Sequence, residues 1–321
     1  MKFETPLFVI MICVLAWSLT SVLGRIILLE YNLAPATFTF IQMLSGGFAL
    51  VLLNPKRIKS IGFVPLKQLH TWGFGSFRVI SASFYSGSFL YLTATNTAFL
   101  GGTAISLSVI FVWLLLGRKP KWIELPGHIV LLISWYFLAM EIDGQFSNPG
   151  IWLLLVSQVF ITFAIILGET HPLNQNNNSG DTLYLTGMLL VASAVILLSL
   201  SYAASLVEAQ LPADYYPILR GHIAGFVLRD MFNPYAWICG FLTGASFRAA
   251  AIYYSLRAVK LASSEFYLGS MAMMPFVNMG LEAIATRLGY LPYMALEPKL
   301  IMYGIILSAA SFYISFFKRG K

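Results

Sequence analysis

Charge is what this chain has least of. Only 10% of its 321 residues are Asp, Glu, Lys or Arg, against 58% that are apolar, and the mean hydropathy is +0.78. A soluble domain of this length cannot bury that much apolar side chain, so a freely soluble fold is excluded. Cysteine is almost absent too. Cys13 and Cys239 stand apart inside apolar runs, which excludes a disulfide framework or a thiolate metal site and leaves two thiols packed among helices. The histidines, His70, His128, His171 and His222, are scattered rather than spaced as ligands. No GxxxxGK[ST] loop, HExxH pair or GxSxG elbow occurs, so the chain offers no phosphate cradle, zincin site or hydrolase nucleophile. The sequence therefore predicts no enzyme, no cofactor and no metal.

What is present is a series of apolar runs near the ~20 residues that cross a bilayer as helix. Ten can be read, at roughly 6–28, 33–53, 72–96, 99–117, 125–141, 149–168, 182–203, 235–257, 261–286 and 299–317. The runs are continuously apolar rather than alternating, which argues against a barrel. The first follows Lys2 in the manner of a secretory signal. It continues to Leu29 with only Arg25 charged and offers no small-x-small cleavage site, so a retained helix is expected.

The basic residues set the expected orientation. With the N-terminus inside, thirteen of the twenty fall on cytoplasmic segments or span ends: Lys2, Lys56, Arg57, Lys59, Lys67, Arg118, Lys119, Lys121, Arg257, Lys260, Lys318, Arg319 and Lys321. The outer side holds Arg25, Arg220, Arg229, Arg287 and Lys299, and only Arg78 and Arg248 lie well within spans. Both termini are thus expected in the cytoplasm, and the net charge of +7 is mainly this topology signal, with a contribution from lipid contact. Nucleic acid is not an expected partner. A glycosylation sequon at Asn177 lies in a loop, 169–181, placed on the cytoplasmic side, where it would go unused.

The chain also rhymes with itself. FLYLTATNTAFLGGTAISLS (89–108) can be laid on IYYSLRAVKLASSEFYLGSM (252–271) with Tyr91 opposite Tyr254, an offset of 163; each closes a long helix, turns on small polar residues and re-enters as helix. LAWSLTSVLGR (15–25) similarly rhymes with SQVFITFAIILGE (157–169). Five spans per half is odd, so the second half must run upside down relative to the first, as in secondary transporters. The expected fold is an all-α integral membrane protein of ten transmembrane helices in two inverted five-helix repeats, 1–146 and 147–321, with an extended outer segment at 204–234. In that segment Leu219, Ile223, Phe226, Val227 and Met231 share a helical face that would suit a membrane surface, interrupted by Asp230.

LAWSLTSVLGR, LAPATFTFIQMLSGGFALVLL (33–53), TATNTAFLGGTAISLSVIFVWLLLGRKPKWIELPGHIVLLISW (93–135) and MMPFVNMGLEAIATRLG (273–289) together resemble the EamA-type transporters of the drug/metabolite transporter superfamily. The resemblance implies a ten-helix bundle in two inverted halves, a central pocket built from both, no use of ATP, and a slight preference for export. It carries a first-span tryptophan onto Trp17 and a mid-helix proline onto Pro275. The chain departs from the family at Gln42, where many relatives have arginine, in lacking a proline in the fourth span to match Pro275, and in the length of 204–234.

Candidate site residues follow from polarity inside the spans. Arg248 is near the middle of its run, where an arginine costs about 2.5–3.5 kcal/mol to insert, so it must face protein or water. It is a candidate fork for a carboxylate or phosphate, the alternatives being a structural pair with an acid such as Glu265 or with helix-end carbonyls, or a snorkel toward the cytoplasm. Arg78 lies about two turns inside a cytoplasmic end, where snorkelling is cheap, and is read as structural. Glu265 and Glu282 are candidates for coupling to a proton or counter-substrate; as plain structure, Glu265 suits a helix N-terminus and Glu282 could pair with Arg25 or Arg287. Gln42, Gln158 and Asn278 are candidate ligands or interhelical glue. Among the aromatics, Trp17 and Tyr85 are the candidate cavity walls, Tyr85 because the offset of 163 sets it opposite Arg248.

These readings converge on a multi-pass protein of the inner or plasma membrane that carries a small metabolite by alternating access, an amino acid or other organic anion or zwitterion. The competing readings are an exporter of organic cations bound by the aromatics, and a non-transporting sensor or assembly subunit. The sequence is silent on oligomeric state.

Overall fold

The computed structural model describes residues 5–144, 146–175, 179–208, 228–292 and 297–317, and every regular element among them is helical. The long elements are α1 (Pro6–Glu30), α2 (Pro35–Leu52), α3 (Leu69–Ser88), α4 and α5 (Ala94–Leu100, Thr103–Leu116), α6 (Leu125–Asp143), α7 (Pro149–Thr170) and α8 (Ser179–Glu208). They continue with α9 and α10 (Pro234–Thr243, Ala249–Leu261, joined by a π turn), α11 and α12 (Ser264–Ser270, Met274–Arg287) and α13 (Pro298–Phe317). Among the described residues, eight helical runs are long and apolar enough to cross a membrane. The two remaining long runs, α3 and α9–α10, fall short because they carry the polar residues of the interior: α3 is rich in Ser and Gly and holds Arg78, and α9–α10 holds Arg248.

The helices begin where the sequence supplies caps. Thr5, Asn148 and Asn233 each accept a bond from a backbone N–H of the first turn, and each precedes a proline whose missing N–H costs nothing there. Thr93 and Ser263 cap α4 and α11 likewise, accepting from the backbone N–H groups of Asn96 and Phe266. The outer faces are apolar, with Leu114, Ile133 and Phe241 all exposed, while small hydroxyls point inward. Thr20, Ser45, Thr162, Ser193, Ser255 and Ser311 are buried and donate to the carbonyl four residues back. Apolar outside and small-polar inside inverts the soluble pattern and is how a helix bundle satisfies itself in lipid.

Contacts fix the two ends of the bundle. At one, the basic end, Arg57 pairs with Asp181 at 3.0 Å, Tyr184 donates to the Gly62 carbonyl and the Lys121 ammonium to that of Phe317. At the opposite end Tyr31 stacks on Tyr235 and Lys299 meets Glu141. There too Asp230 accepts from the Ala34 N–H at 2.6 Å, just ahead of α2. The residue read as an interruption of a membrane-facing stripe thus has a structural task at a helix N-terminus. Met231 lies in a short 3-10 turn (Leu228–Phe232), whereas Leu219, Ile223, Phe226 and Val227 lie outside the described residues, as does Asn177.

Two expectations about register change. The third and fourth runs were bounded at 72–96 and 99–117; the helix ends earlier, at Ser88, and the next begins at Ala94. The internal offset is also different. Cap Ser263 stands 170 positions after cap Thr93, the seven-residue helices α4 and α11 begin at Ala94 and Ser264, and both break after their seventh residue, at Gly101 and Met271. Tyr91 and Tyr254 are not equivalent, since Tyr91 lies in the turn after α3 while Tyr254 lies within the body of α10. In the register of the caps, Arg248 falls on Arg78.

His171, just beyond α7, is fully buried at the basic end. Its Nδ1 accepts from the Leu173 N–H, so Nε2 carries the proton and donates to Thr71 Oγ1 at 3.1 Å; Thr71 in turn donates to the Pro65 carbonyl. Burial first, and the neighbouring His70 second, pull its pKa down to about 4. A histidine held neutral in the fold stabilises it fully above its unfolded pKa of about 6.5, and loses that contribution as pH falls toward 4. Thermal unfolding in detergent should therefore show about 3 kcal/mol less stability at pH 4 than at pH 7 from this group, on the order of 1.4 kcal/mol per pH unit. His171→Asn should flatten that dependence; an unchanged slope would remove His171 as its source.

Candidate functional site

The centre of the bundle holds a cavity. Its wall comes from both halves of the chain: Trp17, Gln42, Arg78 and Tyr85 from the first, Gln158, Arg248 and Tyr267 from the second. Arg78 and Arg248 are the only charged side chains lining it among the described residues.

Arg248 reaches the cavity through a local departure from α-helix. Residues Gly244–Arg248 form a π turn, a widening common at functional sites that shifts the rotation of every residue after it. The turn lies where α9 meets α2 backbone to backbone: a Cβ on Gly244 would overlap Ser45 Oγ and the Gln42 backbone, and one on Gly46 would come within 2.7 Å of the Gly244 carbonyl. Arg248 is 4% exposed and donates through NH1 to Gln42 Oε1 at 2.8 Å. Gln42 donates from its amide to Thr243 Oγ1 at 2.9 Å, which fixes which of its ends faces the arginine. The Arg248 Nε has no hydrogen-bond partner among the described residues.

Arg78 is 6% exposed and sits with its guanidinium carbon 4.5 Å from the centre of the Trp17 ring, a cation–π arrangement. It makes no hydrogen bond among the described residues. Trp17 is held for this role by its indole N–H, which donates to Ser255 Oγ at 3.2 Å; Ser255 is braced by Tyr267 at 2.7 Å and lies beside the buried Cys13. Tyr85 meets Ser21 at 3.1 Å, and its ring is edge-on to Phe89.

Beyond each end of the cavity a carboxylate ties the halves together. At the opposite end Glu282, on α12, takes Arg25 NH1 at 3.2 Å and also accepts from the Ala94 and Thr95 N–H groups and the Thr95 hydroxyl, so it closes the N-terminus of α4. At the basic end Glu169, on α7, takes Arg118 NH2 at 2.6 Å and accepts from the Ser264 N–H and hydroxyl, closing the N-terminus of α11. Arg118 NH1 reaches Glu265 at 3.1 Å as well.

The profile of the EamA-like transporter family matches residues 5–140. Over that span, less than half of its length, the chain is similar to the EamA-like transporter family. The family lies within the drug/metabolite transporter superfamily, and its members are transporters rather than enzymes. No curated protein matches. Among solved structures, one described only as a crystal structure of a protein superposes with a TM-score of 0.63 at 14% identity, covering 98% of this chain and 99% of the other, which is a likeness of fold. Together with its apolar helices, the EamA-like match makes the chain a multi-pass membrane protein.

The EamA-like segment supplies Trp17, Gln42, Arg78 and Tyr85 to the cavity. Of the ligand candidates read from sequence, Arg248, Trp17, Tyr85, Gln42 and Gln158 line it together. Asn278 lies off it, fully buried, donating to the Ala94 carbonyl. Glu265 and Glu282 sit at the two ends rather than on the wall, and Glu265 partners Arg118, not Arg248. Arg78, read as a snorkelling structural residue, is a cavity residue instead. Its signal was present in the strings GSFR and ASFR that end at the two arginines, and is visible once the repeat is set in the register of the helix caps.

Proposed function

We propose that this EamA-like protein is a secondary-active carrier that moves a small organic anion across the inner or plasma membrane. The observation that carries this reading is the pair of buried guanidiniums lining one central cavity with no carboxylate on its wall among the described residues. An arginine kept at mid-membrane without a counter-ion is costly, and a bound carboxylate or phosphate offsets that cost through bidentate bonds. The same wall repels an organic cation, which disfavours the drug-exporter reading despite the aromatic residues.

In this reading the chain spans the membrane ten times as inverted halves, 1–146 and 147–321, with both termini cytoplasmic at the basic end. The repeat of caps, breaks and arginines at one offset supports it, as does the way α4 is closed by the second half at one end and α11 by Glu169 and Arg118 at the other. Alternating access then consists of releasing one of these end clusters while the other holds, and export is the direction favoured by family resemblance. Glu265 and Glu282 remain the coupling carboxylates of the scheme, each already held by an arginine that its protonation would release. Purified protein in liposomes should take up labelled organic acids down their gradient, and Arg248→Gln should cut the rate by about a hundredfold, the loss of one charged fork from a buried site. Wild-type vesicles no faster than protein-free ones, or an Arg248→Gln variant as fast as wild type, would remove the reading.

A further inference from the structure

The two cavity arginines are held in ways that leave both available. Arg248 uses one N–H on Gln42 and keeps an unpartnered Nε, and Arg78 rests on the Trp17 face with no hydrogen bond among the described residues. They come from opposite halves of the chain, at positions related by the same 170-residue offset that relates the caps Thr93 and Ser263. The carboxylates at the two ends of the bundle do not serve them: Glu169 and Glu265 are taken by Arg118, and Glu282 by Arg25.

From this charge count, and resting on the anion-carrier reading above, we infer that the carried molecule is a small organic dianion whose two negative charges are shared between Arg78 and Arg248. A monoanion leaves one guanidinium uncompensated in a buried site, where a lone charge is far more costly than a paired one. An amino acid is worse still, because its ammonium finds two like charges and, among the described residues, no carboxylate on the cavity wall. A dianion balances both forks. Dicarboxylates and phosphate monoesters share this chemistry: the first places its charges on two groups, the second on one headgroup. Gln158 and Tyr267 add polar contacts, and Phe38 and Phe89 an apolar wall for a short carbon skeleton.

The test is thermal unfolding of the purified protein with increasing malonate, succinate, glutarate or glycerol 3-phosphate. Succinamate, the half-amide of succinate, serves as the size-matched monoanion, alanine as the zwitterion and choline as a cation. A ligand of the folded state stabilises it by RT ln(1 + [L]/Kd), so at equal concentration the tighter ligand raises the midpoint further. The expected result is that at least one dianion binds about tenfold or more tightly than succinamate, the worth of one charge-assisted hydrogen-bonded contact. Arg78→Gln should lower dianion affinity to the level of succinamate, while Arg78→Lys, which keeps the charge, should retain a preference. If phosphate esters alone show the effect the charges sit on one head, and if dicarboxylates alone do they sit on two. Equal affinity for succinate and succinamate, stabilisation by none of the dianions, or a preference that survives Arg78→Gln overturns the inference. Monoanions that bind and are transported while dianions are not would leave the carrier reading intact, whereas stabilisation by choline alone would overturn both.

Discussion

Glu282→Gln should be among the most damaging single-atom changes available in this protein. The Glu282 carboxylate receives Arg25, two backbone N–H groups and the Thr95 hydroxyl, all donors. Glutamine replaces one acceptor oxygen by an NH2 that can only donate, so at least one N–H of the first turn of α4 faces another donor and Arg25 loses its charge partner. Removing one member of a buried pair leaves the other uncompensated; with both side chains slightly exposed, at 11% and 13%, the cost should fall near the lower end of the usual range, about 3 kcal/mol. Adding Arg25→Gln should restore only part of this, because the N-terminus of α4 still lacks its carboxylate. A double-mutant cycle read by thermal unfolding separates the two parts. Full recovery in the double variant would mean that Glu282 serves only Arg25, and that the helix closure carries no weight.

The sequence made the class plain because membrane insertion is a composition requirement, visible without contacts. It made Arg248 visible for the same reason: a charge deep in an apolar run needs an explanation wherever it points. Arg78 was hidden by a different property. Whether an arginine near a helix end snorkels depends on which way its helix is rotated, and that rotation is set by packing, here by a Trp17 ring braced from α10. Gln42 was legible as an unusual polar residue, but its service to Arg248 depends on the π turn, and nothing in GASFR states that the helix widens there. The partner of Glu265 was beyond reach. Arg118 lies 147 residues away and reads as an ordinary topology signal until the fold brings the ends of α5, α7 and α10 together.

The internal repeat was half legible for an instructive reason. Pairing Tyr91 with Tyr254 compared identical residues in unlike settings, a turn and a helix body, whereas Thr93 and Ser263 are different residues doing the same work at an N-cap. A cap is a stricter marker of register than an aromatic, since it is tied to where the first free N–H groups lie. Moving the register by seven residues superposes the breaks after the two seven-residue helices and sets one arginine of each half at the cavity.

That register also predicts opposite effects from two similar substitutions. Arg118→Gln removes the pairing of Glu169 and Glu265 at the basic end, and Arg25→Gln removes that of Glu282 at the other. If each cluster holds its own end of the cavity shut, the first change shifts the population toward opening at the basic end and the second toward opening at the opposite one. A cysteine at Ala98, a half-buried cavity position, in a background of Cys13→Ala and Cys239→Ala, reports this through its rate of reaction with a membrane-impermeant thiol reagent in vesicles of known orientation. Losing a pair worth about 1.4 kcal/mol to the closed end changes the open fraction, and hence the labelling rate, about tenfold. Arg118→Gln should accelerate labelling only from the basic side and Arg25→Gln only from the other. Acceleration from the same side in both variants would mean that the clusters stabilise the bundle as a whole and do not choose between its ends.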